Sequence, residues 1–418
     1  MPIWHVYGGR TLSGCVRVQG SKNAVLPIMA ASLLCRGETL LHHCPDLLDV
    51  EAAVEILQHL GCVVQRSGSD IHIDARCVSA TYIPHELMLK MRSSVMFMGA
   101  ILARTGQARL SRPGGCELGS RPIDLHIKGL RELGADISEI GGDVDCRAEG
   151  LTGTQIHLDF PSVGATENIM IAACTARGTS IITNAAREPE IVDLQGYLRC
   201  LGAKISGAGT SMITVEGACL KEQAEYTVMS DRIVAGTYLC AAAAAGGDIT
   251  LEDVVPEHLM TISNVLREMG CGIICSSQRI RLRSCAPLKA AKPIITKPYP
   301  GFPTDGQALL MAVALKAKGT TVFVENIFEN RYRHAAEMRR LGADIRTEGR
   351  VAMVSGGGRL MGAPVTATDL RGGAALVLAG LAAEGETTVY DAGHIGRGYE
   401  NFEASLSELG AQLRVEYR

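Results

Sequence analysis

Residues 124–134 read Asp-Leu-His-Ile-Lys-Gly-Leu-Arg-Glu-Leu-Gly, with apolar side chains at helical spacing and a glycine directly after the last turn. Glycine ends a helix well because it accepts the left-handed backbone conformation at low cost. The same ending, Leu-Gly or Met-Gly, recurs along the chain at Gly61, Gly134, Gly202, Gly270, Gly342 and Gly410. Neighbouring glycines of this set are 68 to 73 residues apart. The spacing predicts six copies of one structural unit of about 70 residues.

Each unit follows one order of elements. A strongly apolar helix comes first and is predicted at 23–35, 92–104, 166–177, 232–245, 305–318 and 370–384. A short β-rich run, an amphipathic helix closed by the glycine, and two further strands follow it. The first helix is apolar nearly all round and should be buried, while the second should face water. The chain is therefore predicted to be an α/β protein with sheets arranged around an inner layer of helices.

The sixth unit is short, because only one strand, at 412–417, follows Gly410. Residues 3–19 read as strand, glycine-containing turn and strand, like residues 212–228. The N-terminal segment is therefore expected to close the C-terminal unit, and the domain that starts near Lys22 is expected to be inserted in the other. Periodicity leaves the division of the six units open, although three and three is the symmetric choice.

The composition indicates a globular chain with more than one core, since it has 418 residues, 47% apolar and 20% charged. A net charge of −3 gives no general attraction to nucleic acid or to an anionic membrane. The first ten residues lack the pattern of a signal peptide, and the longest apolar runs, such as 233–245, are too short to span a bilayer. A cytoplasmic location is expected, without binding to nucleic acid or insertion into a membrane.

The 14 cysteines show no paired spacing of the kind that binds zinc or forms a disulfide framework. No metal is expected, and most thiols should be small buried side chains in a reducing compartment. Cys116 is the exception, because it lies among glycines within residues 112–121, which read Arg-Pro-Gly-Gly-Cys-Glu-Leu-Gly-Ser-Arg. Nearby guanidinium groups favour a thiolate, so this stretch is predicted to be a mobile lid that carries a nucleophile or proton donor. A surface turn with a stray cysteine is the alternative.

Basic side chains recur where the inner helices begin, although the positive end of a helix dipole repels cations. These residues are Lys22, Arg92, Arg232 and Arg371. Hydroxyl residues at the helix starts, which ordinary N-capping explains, are Ser162, Ser230, Thr304 and Thr368. The starts of the second helices add Arg121, Glu188, Arg331 and Arg397. If several inner helices point into one cleft, these groups together predict a phosphate-binding site. Taken singly, each arginine is better explained as a solvated surface charge, and the repetition at equivalent positions is what favours the binding site.

The segments that carry a family resemblance are 21–24 (Ser-Lys-Asn-Ala), 112–124, 159–166, 188–193, 302–305, 328–331 and 397–400 (Arg-Gly-Tyr-Glu). Through them the chain resembles the UDP-N-acetylglucosamine enolpyruvyl transferases (1-carboxyvinyltransferases), over nearly its whole length. The resemblance implies a bacterial, cytoplasmic enzyme of the first committed step of peptidoglycan synthesis. Such enzymes serve cell-wall biogenesis, cell shape and cell division, and are targets of fosfomycin. The resemblance also implies a two-domain inside-out α/β barrel with three units in each domain, at 22–229 and at 1–21 plus 230–418.

The implied reaction transfers the enolpyruvyl group of phosphoenolpyruvate to the 3′-hydroxyl of UDP-N-acetylglucosamine through a tetrahedral ketal, with release of phosphate. By resemblance, phosphoenolpyruvate is held by Lys22, Arg92, Arg121 and Arg397. Cys116 protonates C3 or adds at C2, and Asp305 takes the proton of the sugar hydroxyl. The sugar nucleotide contacts Asn23, Arg121, Pro122, Asp124, Leu125, Ser162, Val163, Gly164, Asp305 and Phe328. Residues implied to support the site or its closure are Glu188, Asp231, Arg331, Asp369 and Arg371. No cofactor, metal or protein partner is implied.

Two positions depart from the family pattern, because some family members have lysines where this chain has Leu48 and Phe160. Contacts from these positions to the substrate diphosphate are therefore not expected here, and helix ends or Arg121 are expected to bind the diphosphate instead. Two rival functions are kept. One is transfer to shikimate 3-phosphate, against which the thiol-bearing loop argues, and the other is a paralogue that binds the sugar nucleotide without turnover. A Rossmann oxidoreductase is disfavoured, because the glycine clusters at 207–209 and 356–358 are predicted to lie in strand-to-strand turns.

Overall fold

The computed structural model describes residues 1–111, 123–284 and 287–417. Its strands are β1 (Pro2–Tyr7), β2 (Leu12–Arg17), β3 (Glu38–His42), β4 (Val63–Ser67), β5 (Asp70–Asp74), β6 (Tyr82–Ile83), β7 (Gln107–Ser111), β8 (Asp136–Ile140), β9 (Asp143–Arg147), β10 (Gln155–His157), β11 (Thr179–Thr183), β12 (Lys204–Ser206), β13 (Met212–Glu216), β14 (Gln223–Thr227), β15 (Gly247–Glu252), β16 (Gly272–Ser276), β17 (Arg279–Ser284), β18 (Ile294–Ile295), β19 (Gly319–Val324), β20 (Asp344–Glu348), β21 (Val351–Gly356), β22 (Pro364–Thr366), β23 (Glu386–Tyr390) and β24 (Gln412–Tyr417).

The α-helices are α1 (Lys22–Ala31), α2 (Leu48–His59), α3 (His85–Lys90), α4 (Phe97–Thr105), α5 (Asp124–Glu132), α6 (Val163–Ala173), α7 (Pro189–Cys200), α8 (Arg232–Ala245), α9 (Met260–Glu268), α10 (Thr304–Ala314), α11 (Arg333–Arg340), α12 (Leu370–Ala382) and α13 (Phe402–Glu408). Short 3₁₀ helices span Ser32–Leu34, Arg92–Met96, Pro256–Leu259 and Ile395–Arg397.

The six repeated glycines all end a helix in the left-handed conformation, with φ between 89° and 112°. Gly134 shows the pattern, since its N–H donates to Arg131 O at 2.9 Å and the next N–H, of Ala135, donates to Leu130 O at 3.0 Å. These bonds satisfy the last carbonyls of the helix, and the residue before each glycine is fully buried. Any other residue there would be strained. The prediction of six repeats is confirmed.

The described part of the chain contains six sheets of four strands each, and all six sheets share one topology. In the third repeat, for example, β10 pairs parallel with β11, which pairs antiparallel with β13, and β13 pairs antiparallel with β12. The N-terminal strands complete two sheets near the other end of the chain. β1 lies between β23 and β24, and β2 pairs parallel with β15.

The described residues form two compact units. The Lys22 unit contains residues 20–111 and 123–229, and the Asp305 unit contains residues 1–19, 230–284 and 287–417. Each unit has three sheets and three inner helices that pack on one another, α1, α4 and α6 in the Lys22 unit and α8, α10 and α12 in the Asp305 unit. In α8, for example, 13 of 14 residues are buried. The α/β fold with sheets outside and helices inside is confirmed.

Several inner helices end earlier than predicted. α6, α10 and α12 end at residues 173, 314 and 382, because the backbone that follows each helix forms hydrogen bonds with a neighbouring segment. The N–H groups of Arg177, Lys318 and Glu384 donate to Leu151 O, Leu288 O and Leu360 O at 2.8 to 2.9 Å. A backbone N–H used in this way cannot extend the helical ladder.

No helix within residues 1–111, 123–284 and 287–417 combines the length and the apolar character needed to cross a bilayer.

Candidate active site

Lys22 is the first residue of α1 and forms an ion pair within its own unit. Its Nζ lies 3.2 Å from Oδ2 of Asp49, which is in the first turn of α2. The Asp49 side chain is only 5% exposed, so little water screens the pair. The carboxylate favours the charged ammonium group and helps to hold it at the positive end of α1. Sequence reasoning gives no reason to select Asp49, because an acid in a first helical turn is explained by the helix dipole alone.

The starts of α5 and α6 come together in the Lys22 unit. Ser162 is the N-cap of α6, and its hydroxyl accepts a hydrogen bond from the N–H of Ala165 at 3.3 Å. Gly164 packs against the ring of His126 on α5, since a Cβ added at Gly164 would lie 3.2 Å from His126 Cε1. Nucleotide-binding residues predicted at the two helix starts therefore lie on adjoining segments. They are Asp124, Leu125, Ser162, Val163 and Gly164.

Glu188 belongs to an acidic cluster of the Lys22 unit. It is the N-cap residue of α7, and its carboxylate accepts a hydrogen bond from the N–H of Arg187 at 3.0 Å. Glu167 and Glu190 are both almost completely buried. Burial, followed by the charges of Glu190 and Glu188, raises the pKa of Glu167 well above its ordinary value. The surroundings of Glu167 therefore favour its protonated form.

Asp305 is the centre of a charge network in the Asp305 unit. Its Oδ1 accepts a hydrogen bond from Arg331 Nη2 at 3.0 Å and lies 3.5 Å from Arg371 Nε. The two arginine side chains are only 3% and 4% exposed, whereas Asp305 is 31% exposed. Arg331 also donates to Thr304 O at 3.2 Å and lies 3.8 Å from Asp369 Oδ1. Two buried cations are thus balanced by two carboxylates, of which Asp305 is open to solvent.

Asp231 and Asp369 are N-caps, which corrects part of the capping prediction. Each Oδ1 accepts hydrogen bonds from two backbone N–H groups of the first turn, at 2.8 and 3.0 Å for Asp231 and at 3.1 and 3.0 Å for Asp369. Ser230 and Thr368 lie one residue earlier and are not the caps of α8 and α12. A carboxylate at the N-cap also offsets the cation that follows it on the helix.

Thr304 is likewise not a cap, because it lies inside the first turn of α10. Its hydroxyl donates to Glu325 Oε2 at 3.0 Å. Among the four hydroxyl residues predicted to cap inner helices, Ser162 alone does so. Two of the cations at these starts therefore face acidic side chains of the protein, since Lys22 pairs with Asp49 and Arg371 lies beside Asp305.

Aromatic rings lie against the buried arginines. The Arg331 guanidinium lies 5.6 Å from the centre of the Phe328 ring, and that of Arg371 lies 5.6 Å from the Tyr399 ring. Tyr399 Oη is in turn 3.0 Å from Thr237 Oγ1. Burial acts to lower the pKa of Arg371, but the neighbouring charges, first that of Asp305, outweigh it and raise the pKa. Arg371 is therefore permanently charged and lies between the Tyr399 ring and the Asp305 carboxylate.

His334 is completely buried beside this network, and neither ring nitrogen has a hydrogen-bond partner among the described residues. Burial lowers its pKa, so the ring is neutral. Burial acts to raise the pKa of Asp369, but Arg331 and other partners outweigh it, so that pKa is lowered. A charged Asp369 thus faces Arg331. Sequence reasoning did not select His334, because a lone histidine on a helix carries no motif.

Arg397 is the last residue of the 3₁₀ helix Ile395–Arg397. The carboxylate of Asp391 fixes the start of this segment, because it accepts hydrogen bonds from the N–H groups of His394 at 2.8 Å and Ile395 at 3.1 Å. Arg397 is therefore presented from a short segment with a defined backbone.

The predicted site residues divide between the two units. Those in the Lys22 unit are Lys22, Asn23, Asp124, Leu125, Ser162, Val163, Gly164 and Glu188. Those in the Asp305 unit are Asp231, Asp305, Phe328, Arg331, Asp369, Arg371 and Arg397. Cys116, Arg121 and Pro122 lie outside the described residues, as does the side chain of Arg92. Leu48 and Phe160 are both exposed apolar side chains.

Comparison with known proteins identifies the family. Residues 6–406 match the family model of EPSP synthase (3-phosphoshikimate 1-carboxyvinyltransferase). UDP-N-acetylglucosamine 1-carboxyvinyltransferase 2 of Caldanaerobacter subterraneus is 50% identical over 413 residues, which is 99% of each chain. UDP-N-acetylglucosamine 1-carboxyvinyltransferase 1 of Halalkalibacterium halodurans is 49% identical over 410 residues, 98% of this chain and 93% of the relative.

Solved structures agree with this assignment. The enolpyruvyl transferase NikO from Streptomyces tendae superposes with a TM-score of 0.89 at 25% identity, covering 99% of this chain and 98% of its own. EPSP synthase of Acinetobacter baumannii has the same fold, with a TM-score of 0.76 at 20% identity and full coverage of both chains. The resemblance inferred from the sequence is confirmed, and the chain belongs to the 1-carboxyvinyltransferase (enolpyruvyl transferase) family.

Proposed function

We propose that this chain transfers the enolpyruvyl group of phosphoenolpyruvate to the 3′-hydroxyl of UDP-N-acetylglucosamine, with release of phosphate, in the first committed step of peptidoglycan synthesis. The observation that carries the proposal is the identity of about half of all residues, over nearly full length, with chains named for this reaction. The 20% identity with EPSP synthase supports a shared fold alone.

The reaction requires a base for the sugar hydroxyl, and we assign this role to Asp305. Its carboxylate is partly exposed and is anchored through Oδ1 by Arg331 and Arg371. Two nearby positive charges favour the ionised form, which is the form that can accept a proton. They also weaken it as a base, so it takes the proton only as the hydroxyl oxygen bonds to C2 of phosphoenolpyruvate.

Addition and elimination also require one proton to be delivered to C3 and one to be removed from it. In the addition step the sugar oxygen bonds to C2 and a proton is delivered to C3, for which we assign Cys116. In the elimination step C3 returns a proton to the Cys116 thiolate and the bond from C2 to the phosphate oxygen breaks, which releases phosphate. The C2–C3 double bond forms again, now as an enol ether of the sugar. Reversible addition of the Cys116 thiolate at C2 is the alternative role of this thiol.

Cationic groups are proposed to hold the two anionic ends of phosphoenolpyruvate. They are Lys22, Arg92, Arg121 and Arg397. Support for Lys22 comes from Asp49, which orients the ammonium group, and support for Arg397 comes from the capped segment that carries it. The sugar nucleotide is proposed to contact Asn23, Pro122, Asp124, Leu125, Ser162, Val163, Gly164 and Phe328. Because Leu48 and Phe160 are apolar, we assign the diphosphate to the N–H groups at the start of α6 and to Arg121.

The domains are proposed to be 22–229, with the Cys116 lid, and 1–21 plus 230–418. A cytoplasmic location and the absence of a cofactor and of protein partners belong to the same proposal.

Phosphate release with phosphoenolpyruvate and either acceptor tests the function. We expect release with UDP-N-acetylglucosamine and none with shikimate 3-phosphate. Release with shikimate 3-phosphate alone would assign the chain to the reaction for which the matching family model is named. Binding of UDP-N-acetylglucosamine by calorimetry without any phosphate release would instead indicate a paralogue that binds the sugar nucleotide without turnover.

A further inference from the structure

The inner helix of the second repeat does not form the single α-helix predicted at 92–104. It begins as the 3₁₀ helix Arg92–Met96 and becomes α-helical in α4. The side chain of Asn168, on the neighbouring helix α6, lies at the join. Its Oδ1 accepts a hydrogen bond from the N–H of Gly99 at 2.6 Å, and its Nδ2 donates to Val95 O at 3.0 Å. An uninterrupted α-helix joins these two backbone groups to each other, because they are four residues apart.

Gly99 makes room for this contact. A Cβ added at Gly99 would lie 2.3 Å from Asn168 Oδ1 and 2.5 Å from the Asn168 backbone oxygen, which no side chain tolerates. Asn168 itself is fully buried. A buried carboxamide without partners would destabilise the fold, whereas here its oxygen and its NH₂ group both bind the neighbouring helix. Gly99 and Asn168 therefore act as a matched pair at the change of helix type.

The second N–H of the Asn168 amide is directed at α5. Nδ2 lies 2.9 Å from Nδ1 of His126, and since the amide nitrogen can only donate, Nδ1 is the acceptor. The imidazole is thus neutral, with its proton on Nε2. Burial lowers the pKa of His126 to about 4, in agreement with this assignment. The same ring packs against Gly164, so Asn168 reaches the start of α6 through His126.

We propose that Asn168 is a positioning residue that sets the relative placement of three segments predicted to contact the substrates. These are the 3₁₀ helix that begins at Arg92, the start of α5 at Asp124, and the start of α6 at Ser162. The inference rests on the proposed function for its kinetic consequence. Its structural content, the bridging of three segments by one amide, does not depend on the reaction.

The expected displacement follows from helix geometry. Replacing Asn168 by alanine leaves the Gly99 N–H and the Val95 carbonyl free to bond to each other, which closes an α-helical turn at residues 95–99. This bond favours extension of the α-helix back over residues 92–96, in place of the 3₁₀ helix. A 3₁₀ helix rises about 2.0 Å per residue and an α-helix about 1.5 Å, so a segment of five residues shortens by about 2.5 Å. Misplacement of about 1 Å at a reacting centre can lower the rate about a hundredfold.

Three variants test the proposal in the full-length enzyme. Asn168→Ala removes all three contacts, and Asn168→Asp keeps the acceptor for Gly99 but loses both donors. Cys174→Ala removes a fully buried side chain from the C-terminal end of the same helix and serves as the control. We expect Asn168→Ala to lower kcat/KM for phosphoenolpyruvate at least tenfold, at a temperature where the variant is fully folded. The kcat/KM of Asn168→Asp should lie between those of Asn168→Ala and the wild type. Cys174→Ala should lower the melting temperature without changing KM.

Hydrogen exchange measured by mass spectrometry supplies an independent readout. Peptides covering residues 92–99, 123–127 and 162–166 should exchange faster in Asn168→Ala, and those of Cys174→Ala should match the wild type there. Unchanged exchange in these peptides, or unchanged kinetic constants in a folded Asn168→Ala enzyme, would overturn the proposal. An inactive wild-type protein would refute the proposed function instead. The hydrogen-exchange comparison alone would then test whether Asn168 sets the placement of the three segments.

Discussion

Replacement of Arg331 by methionine removes the cation that joins Asp305 to Asp369. At an effective dielectric constant of about 20, its attraction is about 5 kcal/mol to Asp305 at 3.0 Å and about 4 kcal/mol to Asp369 at 3.8 Å. Desolvation of the guanidinium offsets much of this, and breaking a buried pair costs about 3 to 5 kcal/mol net. Arg371 still faces Asp305, at 3.5 Å, which favours the lower end of that range. We therefore expect the free energy of unfolding of the Asp305 unit to fall by about 3 kcal/mol.

The chain contains a single tryptophan, and it reports on the unit concerned. Trp4 lies on β1 in the Asp305 unit and is buried, so its fluorescence should follow the unfolding of this unit in urea. Arg331→Lys keeps the charge but cannot contact both carboxylates, so its loss should be about 1 to 2 kcal/mol. Arg340→Lys, on the exposed face of α11, is the control and should stay within about 0.5 kcal/mol of the wild type. A loss below about 1 kcal/mol for Arg331→Met, with an unchanged denaturant slope, would refute the reasoning.

Three further predictions concern the reaction, the thiol and the response to acid. Asp305→Ala should lower kcat by about 10² to 10⁴, because the hydroxyl loses its base, while the Trp4 unfolding transition persists; wild-type turnover would remove Asp305 from that role. Fosfomycin should alkylate Cys116 once the sugar nucleotide is bound, and an intact-mass spectrum without an adduct would count against a reactive thiol at this position. Burial lowers the pKa of His126 to about 4 from an ordinary value of 6.5, so its contribution to stability is present above pH 6.5 and is lost as the pH falls toward 4. The loss of stability should reach about 3 kcal/mol. Calorimetry of the wild type and of His126→Gln across this pH range separates the effect of His126 from that of Glu167, whose raised pKa acts in the opposite direction. Parallel pH profiles of the two proteins would contradict the prediction.

The repeat was predictable because its signal, a glycine at the end of a helix, depends only on neighbouring residues in the sequence. Each of the six glycines ends a helix by adopting a backbone conformation that other residues resist, so Gly61 or Gly410 can be identified without knowing what lies nearby in space. The strand predicted at 412–417 agrees with β24, and each repeat has a strand after its inner helix, as predicted. In these segments the local signal and the tertiary structure favour the same conformation.

Tertiary contacts explain what the sequence did not indicate. The predicted helix at 92–104 changes type because Asn168, from a distant segment, bonds to its backbone. Asp49 and His334 carry no local motif, and their importance follows only from burial beside Lys22 and Arg331. The caps of α8 and α12 were misassigned by one residue, because hydroxyl and carboxylate groups are neighbours there and both can accept hydrogen bonds from a first turn.

The clustering of basic residues at helix starts was informative but incomplete. Arg331 and Arg371 pair with Asp305 and Asp369, so part of the positive charge is balanced within the protein. Sequence position alone cannot reveal such pairs, because Asp305 and Arg371 are more than sixty residues apart.

The pairing of β1 with β23 and β24 has a consequence for synthesis on the ribosome. β1 leaves the exit tunnel long before its partners, which begin at residues 386 and 412. At about 5 to 20 residues per second, β1 waits roughly 20 to 80 s for them. All strands of the three Lys22-unit sheets have been made by residue 227, so that unit can fold during the delay. The nascent chain therefore carries the unpaired, partly apolar strand β1 until residues 386–417 have been made, and the sheets of the Asp305 unit become complete only as β24 emerges.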